Sequence, residues 1–108
     1  GVVQPLRGDK KKLDLVAEKD EVKFAMEIKW AKSKTLNVKK DLEKLAAFLR
    51  VNAEARAFLC VFGRKRHIEH LRIGLCREQG KSVFADFRRT RYGCRVFKLL
   101  KDDACSRS

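Results

Sequence analysis

The chain contains no uninterrupted apolar run of about 18 residues, so no segment of it reads as a membrane-spanning helix. It has no C-x-x-C pair. Cys60, Cys76, Cys94 and Cys105 are too far apart in sequence to suggest a zinc cage. Gly1 to Lys12 is too polar for a signal peptide, which points to a cytoplasmic protein with reduced thiols. Internal repeats, low-complexity tracts and domain linkers are also missing. Acidic residues are scarce: 14 Asp and Glu stand against 27 Lys and Arg, a formal net charge of +13. A surface this positive attracts phosphate or anionic lipid. The bases are spread along the chain rather than gathered on one amphipathic helix, which favours nucleic acid over a membrane surface.

What remains is enough for one core. The 108 residues are 44% hydrophobic, which fits a single domain over 1–108 and is too little for two. Val2 and Val3 can start a short strand before Pro5, Gly8 and Asp9 break it. Leu13 to Ala17 reads as a strand, with Asp14 and Val16 on one side. Glu18 to Glu21 is a polar turn. Val22 to Ala31 is the clearest strand. Val22, Phe24, Met26, Ile28 and Trp30 share an apolar face, expected to pack against helices with Trp30 in the core. Lys23, Ala25, Glu27, Lys29 and Ala31 share the other.

A helix is predicted next, capped by Thr35 or Asn37 and buried along Val38, Leu42, Leu45 and Leu49. Lys39, Lys40, Asp41, Glu43 and Lys44 fall on or near its wet side. Ala57 to Phe62 is a continuous apolar run and reads as a strand covered on both faces and ended by Gly63. Cys60 within it reads as a small core hydrophobe. His67 to Cys76 can hold a short helix, and Gln79 to Lys81 a turn. Ser82 to Arg88 and Cys94 to Leu100 read as strands around a loop at Thr90 to Gly93, before a frayed tail from Asp102.

Charge inside the clearest strand needs a reason. Residues two apart on a strand share a face, so Glu27 and Lys29 stand side by side, and a hairpin would bring Asp14 next to Glu27. Two carboxylates offer hard oxygen ligands that suit Mg²⁺, and a nearby ammonium can meet a phosphate oxygen or an attacking water. The triplet of acid, any residue and lysine is weak by itself. Asp9-Lys10-Lys11 and Glu21-Val22-Lys23 repeat it in a loop and at a turn. Only Glu27-Ile28-Lys29 lies within an alternating strand, with an acid-bearing strand before it and a helix and a buried strand after it.

In that order of residues and elements, Lys12 to Gly63 resembles the PD-(D/E)XK nuclease superfamily, which includes restriction endonucleases and Holliday-junction resolvases. The core of that family is a helix, three strands, a helix and a final strand. Its motif acid lies on the second strand and its (D/E)-x-K on the third. Asp14 matches the acid, although Leu13 stands where the family often has proline, and Glu27 and Lys29 match the triplet. The resemblance implies an α/β, restriction-endonuclease-like central mixed sheet flanked by helices, with a reduced N-terminal part. It implies a metal-dependent nuclease acting on nucleic acid, with DNA the expected substrate. Asp14, Glu27 and the Ile28 carbonyl would hold Mg²⁺, or Mn²⁺ in its place, and Lys29 would assist the chemistry. Self-association as a homodimer, or completion by a partner subunit, is compatible with it.

The bases nominated for backbone contacts are Lys10, Lys11 and Lys12; Lys32 and Lys34; Arg64, Lys65 and Arg66; and Arg88, Arg89 and Arg91. Lys39 or Lys40 could also face the site, though a solvated basic helix face explains them better. Besides a third option, a protein-interaction domain with a basic surface, two bland readings stand beside the enzyme. Glu27 and Lys29 could be a wet strand face with Asp14 bridging Lys29, or the domain could bind nucleic acid without turnover.

Overall fold

The computed structural model describes residues 2–4 as backbone and residues 13–100 in full. The cluster Lys10 to Lys12, Cys105 and the tail expected to fray lie outside the described residues. The chain forms a small α/β domain around one mixed sheet. Its elements are β1 (Val2–Gln4), β2 (Leu15–Lys19), β3 (Val22–Ala31), α1 (Lys39–Val51), β4 (Arg56–Arg64), α2 (Lys65–Ile68), β5 (Cys76–Glu78), β6 (Val83–Phe87) and β7 (Thr90–Leu99). The sheet order is β1-β2-β3-β4-β7-β5, with β6 also paired to β7. Among the described strands only β3 and β4 pair in parallel, and α1 makes the crossover between them.

The β2–β3 and β6–β7 turns are both tighter than the sequence suggested. Asp20 and Glu21 have φ of 52° and 68°, and Arg88 and Arg89 have φ of 50° and 67°. Two consecutive left-handed residues make the two-residue hairpin that matches strand twist. The second hairpin turns at Arg88 and Arg89, so Thr90 to Gly93, expected as a loop, belongs to β7. The short β5 was not anticipated. β4 likewise does not stop at Gly63 but continues to Arg64. Gly63 is needed for closeness: a Cβ there would sit 2.9 Å from the Ala31 carbonyl oxygen and 3.2 Å from Ile68. Its cross-strand partner Gly93 leaves room for the Phe84 ring.

The core lies on one side of the sheet. Ala25, Ala31, Ala57, Leu59, Val61, Phe97 and Leu99 line that side, and Leu45 of α1 and Ile68 of α2 close over them. Arg95, on the same side, bonds Glu78 and the carbonyls of Ile68 and Leu71, tying α2 and β5 to β7. The helix stripe is as expected, with Leu45 buried and Val38, Leu42 and Leu49 packed around the core. The first-turn N–H of Lys39 is taken by the Asn37 side chain at 3.1 Å, while Thr35 bonds only to Ser33.

The choice of covered face is the reverse of the expected one. The helices cover the Ala25, Glu27, Lys29 and Ala31 side of β3. Ile28 and Trp30, on the more apolar side, are 45% and 53% exposed. Trp30 is therefore not a core residue. β4 is covered on one face only, since Phe58 and Phe62 are half-buried. Among the described residues the sheet has helices on one side, not on both. The reason is size. Two alanines of β3, Ala57, and the facing Gly63 and Gly93 form a shallow floor onto which helices can settle closely, whereas Phe, Met, Ile and Trp form a raised one.

Candidate active site

β2 and β3 pair so that Leu15 faces Met26, which sets Asp14, one residue before β2, beside Glu27 and Ile28. The Asp14 carboxylate accepts the Ile28 N–H at 2.7 Å. This bond fixes the acid against β3 although Asp14 itself lies outside the ladder. Glu27 is 2% exposed, under α1. Burial, then contact with the Asp14 carboxyl and its charge, push the Glu27 pKa up to about 7, while Lys44 pulls the other way. A second carboxyl group beside a buried one disfavours ionisation of the buried Glu27.

Two helix residues complete the group. Lys44 Nζ lies 3.4 Å from Glu27 Oε1, and Lys29 Nζ lies 3.3 Å from Asp41 Oδ2. Asp41 is 8% exposed, so it is not on the wet side, and neither is Lys44. Lys39 and Lys40, the helix lysines considered from sequence, are exposed. The missed signal was spacing: Asp41, Lys44, Leu45 and Phe48 recur at three and four residues, which puts both charges along the edge of the buried stripe. Lys29 bridges Asp41 and not Asp14, so the bland pairing of Asp14 with Lys29 does not occur.

The donor set suits a hard divalent cation. Asp14 and Glu27 place two carboxyl groups in contact, and the buried Glu27 Oε1 has no hydrogen-bond partner despite the nearby Lys44. Among the described residues no cluster of three or more His, Cys, Asp or Glu side chains forms a metal site. Any further ligand would therefore be a main-chain or solvent oxygen. His67 and His70 supply no such cluster; the His70 side chain is 92% exposed.

Strand direction gathers most of the nominated bases. β3 and β4 are parallel, so Lys32 and Lys34, after β3, and Arg64 to Arg66, at the end of β4, lie at one end of the sheet. Arg64 pairs with Tyr92, which brings the turn of the β6–β7 hairpin to that end too. Some of these charges are already engaged. Arg91 is held by Asp86 at 2.7 Å, Lys65 by Glu69 at 3.6 Å, and Arg88 lies over the Phe87 ring. Lys32, Lys34, Arg64, Arg66 and Arg89 are exposed and, among the described residues, in no ion pair.

Cys60 is buried with its sulfur 3.5 Å from that of Cys94, and burial pushes its thiol up to about 12. That is the behaviour of a packing residue, not a nucleophile. No helix among the described residues is long and apolar enough to cross a membrane. No family model, curated protein or solved structure matches the chain.

Proposed function

We propose that the chain is a metal-dependent nuclease of the PD-(D/E)XK type, hydrolysing phosphodiester bonds of nucleic acid, with DNA the expected substrate. The observation that carries the reading is the buried Glu27 carboxyl against Asp14, with Lys29 two residues along the same strand face. The run of three strands, a helix and a parallel strand from β1 to β4 supports the family resemblance. So does the position of Asp14 immediately before the second strand and of Glu27-Ile28-Lys29 on the third.

Asp14 and Glu27, with the Ile28 carbonyl, would hold Mg²⁺ or Mn²⁺. When bound, such an ion polarises a phosphoryl oxygen and lowers the pKa of a coordinated water. Lys29 supplies a fixed positive charge beside the acids and stabilises charge that develops on the phosphate. Asp41 positions Lys29, and Lys44 balances the negative charge gathered at Glu27. The unpaired bases at the same end of the sheet would hold the backbone of the substrate without reading its sequence.

The test is Mg²⁺-dependent cleavage of linear, circular, branched and single-stranded DNA and of RNA, with Lys29→Ala and EDTA controls. Cutting by the wild type that disappears in both controls is the expected result. One observation favours a second reading, a nucleic-acid-binding module without turnover. Lys29 and Lys44 are each already paired with an acid across the β3–α1 contact, an arrangement that would also serve as a structural clamp. Salt-sensitive DNA binding with no cleavage under any divalent ion would establish that reading instead.

A further inference from the structure

The uncovered side of the sheet is a second candidate surface, separate from the acid pair. It is broad and apolar. Phe24 and Phe58 stack with ring centroids 6.4 Å apart, and Trp30 and Tyr92 lie 6.0 Å apart. Beside the first pair is a shallow depression of about 240 Å³ lined by Leu15, Ala17, Phe24, Ala25, Met26 and Phe58. Apolar side chains gathered on one sheet face lose free energy in water and ordinarily lie under another layer of structure.

Charge identifies what fits there. The strand register places Lys19, Arg56, Arg64, Arg77 and Lys98 on this same side. Among the described residues none of the five is in an ion pair, and no acid holds a strand position on this side. The acids of the strands, Glu18, Glu27, Glu78 and Asp86, lie on the other side. At its strand positions this side thus has an apolar centre bordered by cations, while the nearest described acids, Asp20, Glu21 and Glu54, sit in turns beyond the strand ends. A second copy docking face to face would oppose like charges. A nucleic-acid strand would lay phosphates and polar base edges over Leu15, Met26 and the depression, which offer no hydrogen-bonding side chain.

We infer that this face docks an amphipathic helix of a partner protein, apolar along one side and acidic on both flanks. Its apolar side would cover Ile28, Trp30 and the depression, and its acids would meet Arg56, Lys98 and the other border cations. A helix of about 18 residues is about 27 Å long, comparable to the ten-residue β3 at about 33 Å. Helix-in-groove recognition uses such a stripe of apolar anchors. The inference does not depend on the nuclease reading, because the acid pair faces α1 on the opposite side and, of the border cations, only Arg64 is also among the bases proposed to hold a substrate backbone.

The chain reports on this face itself, because Trp30 is its one tryptophan. The probes are two synthetic helical peptides of about 18 residues. Both carry leucines along one side; the flanks bear glutamates in one and lysines in the other. The expected result with the full chain is a saturable shift of Trp30 emission to shorter wavelength with the glutamate peptide, bound at least about tenfold more tightly than the lysine peptide. Ile28→Asp should abolish the shift, and Arg56→Glu combined with Lys98→Glu should reverse the preference between peptides. These side chains are at least partly solvent-accessible, and circular dichroism checks that the variants remain folded. Equal affinity for both peptides, or no shift with either, overturns the proposal. A shift that follows protein concentration alone replaces it with self-association. A response to a single-stranded oligonucleotide and to neither peptide replaces it with nucleic-acid binding.

Discussion

β3 shows two different surfaces to its two sides, and the comparison runs against simple hydrophobicity. On one side Ala25, Glu27, Lys29 and Ala31 lie beneath α1. On the other, Phe24, Met26, Ile28 and Trp30 remain accessible to solvent, although they are the more apolar set. The covered side combines a close helix contact with buried charge. The open side combines apolar area with unpaired bases. A helix layer settles where side chains are short enough to let it approach, and the charges beneath it are tolerated because Asp41 and Lys44 arrive with the helix. The two sides should therefore respond differently to substitution.

The largest contrast concerns chemistry. Lys29→Ala should reduce Mg²⁺-dependent cleavage by about a thousandfold, about 4 kcal/mol of transition-state stabilisation, while open-side variants such as Trp30→Ala leave the rate of cutting within about threefold. Initial rates on the preferred substrate check this, and a Lys29→Ala variant as fast as wild type would remove the lysine from the proposed mechanism. Next in size is packing. Leu45→Ala opens a cavity above the covered side and should cost about 3 kcal/mol, read as a lower urea midpoint with an unchanged slope.

Glu27 gives a smaller effect with a defined pH dependence. Its pKa is about 7 in the fold against an ordinary 4.5. A carboxyl whose folded value is raised costs stability once ionised. The cost is absent below about pH 4.5, grows between 4.5 and 7, and is complete above 7. Glu27→Gln in EDTA should therefore be more stable than wild type at pH 8 by about 1–3 kcal/mol, with the difference closing towards pH 4.5. The same substitution should abolish cleavage. Denaturant titrations at both pH values decide it; a gap that stays constant with pH would mean that Glu27 does not titrate in this range.

The smallest effect belongs to the open side. Trp30→Ala should cost less than about 1 kcal/mol, because the ring is half exposed and leaves no cavity in the core. A thermal melt that fell as far as that of Leu45→Ala would show the open side to be as fully packed as the covered one.

Much of the local structure was readable in advance. Strict alternation fixed β3 from Val22 to Ala31, and three-to-four spacing located α1 and its Leu45 stripe. The polar run at Glu18 to Glu21 marked a hairpin. The site was legible in part, because a glutamate and a lysine inside an alternating strand after Asp14 mark a place where charge requires explanation. Asp41 and Lys44 were assigned to the wet side of the helix, since charged residues in the first turns of an amphipathic helix are usually solvated. The hairpin at Arg88 and Arg89 was displaced because neither residue signals the left-handed backbone it adopts.

The sequence by itself determined the positive charge, the single core's worth of apolar residues, the strand and helix periods, and the pairing of Glu27 with Lys29 on one strand face. These are properties of composition and of repeats two or three to four residues long, and a chain carries them before it folds. Only the tertiary structure decided which side of β3 the helix covers, which helix side chains reach the acids, and that the basic ends of β3, β4 and the last hairpin meet at one end of the sheet. Each of those depends on contacts between residues far apart in sequence, where the fit of volumes and the pairing of buried charges outweigh the hydrophobicity of any one segment.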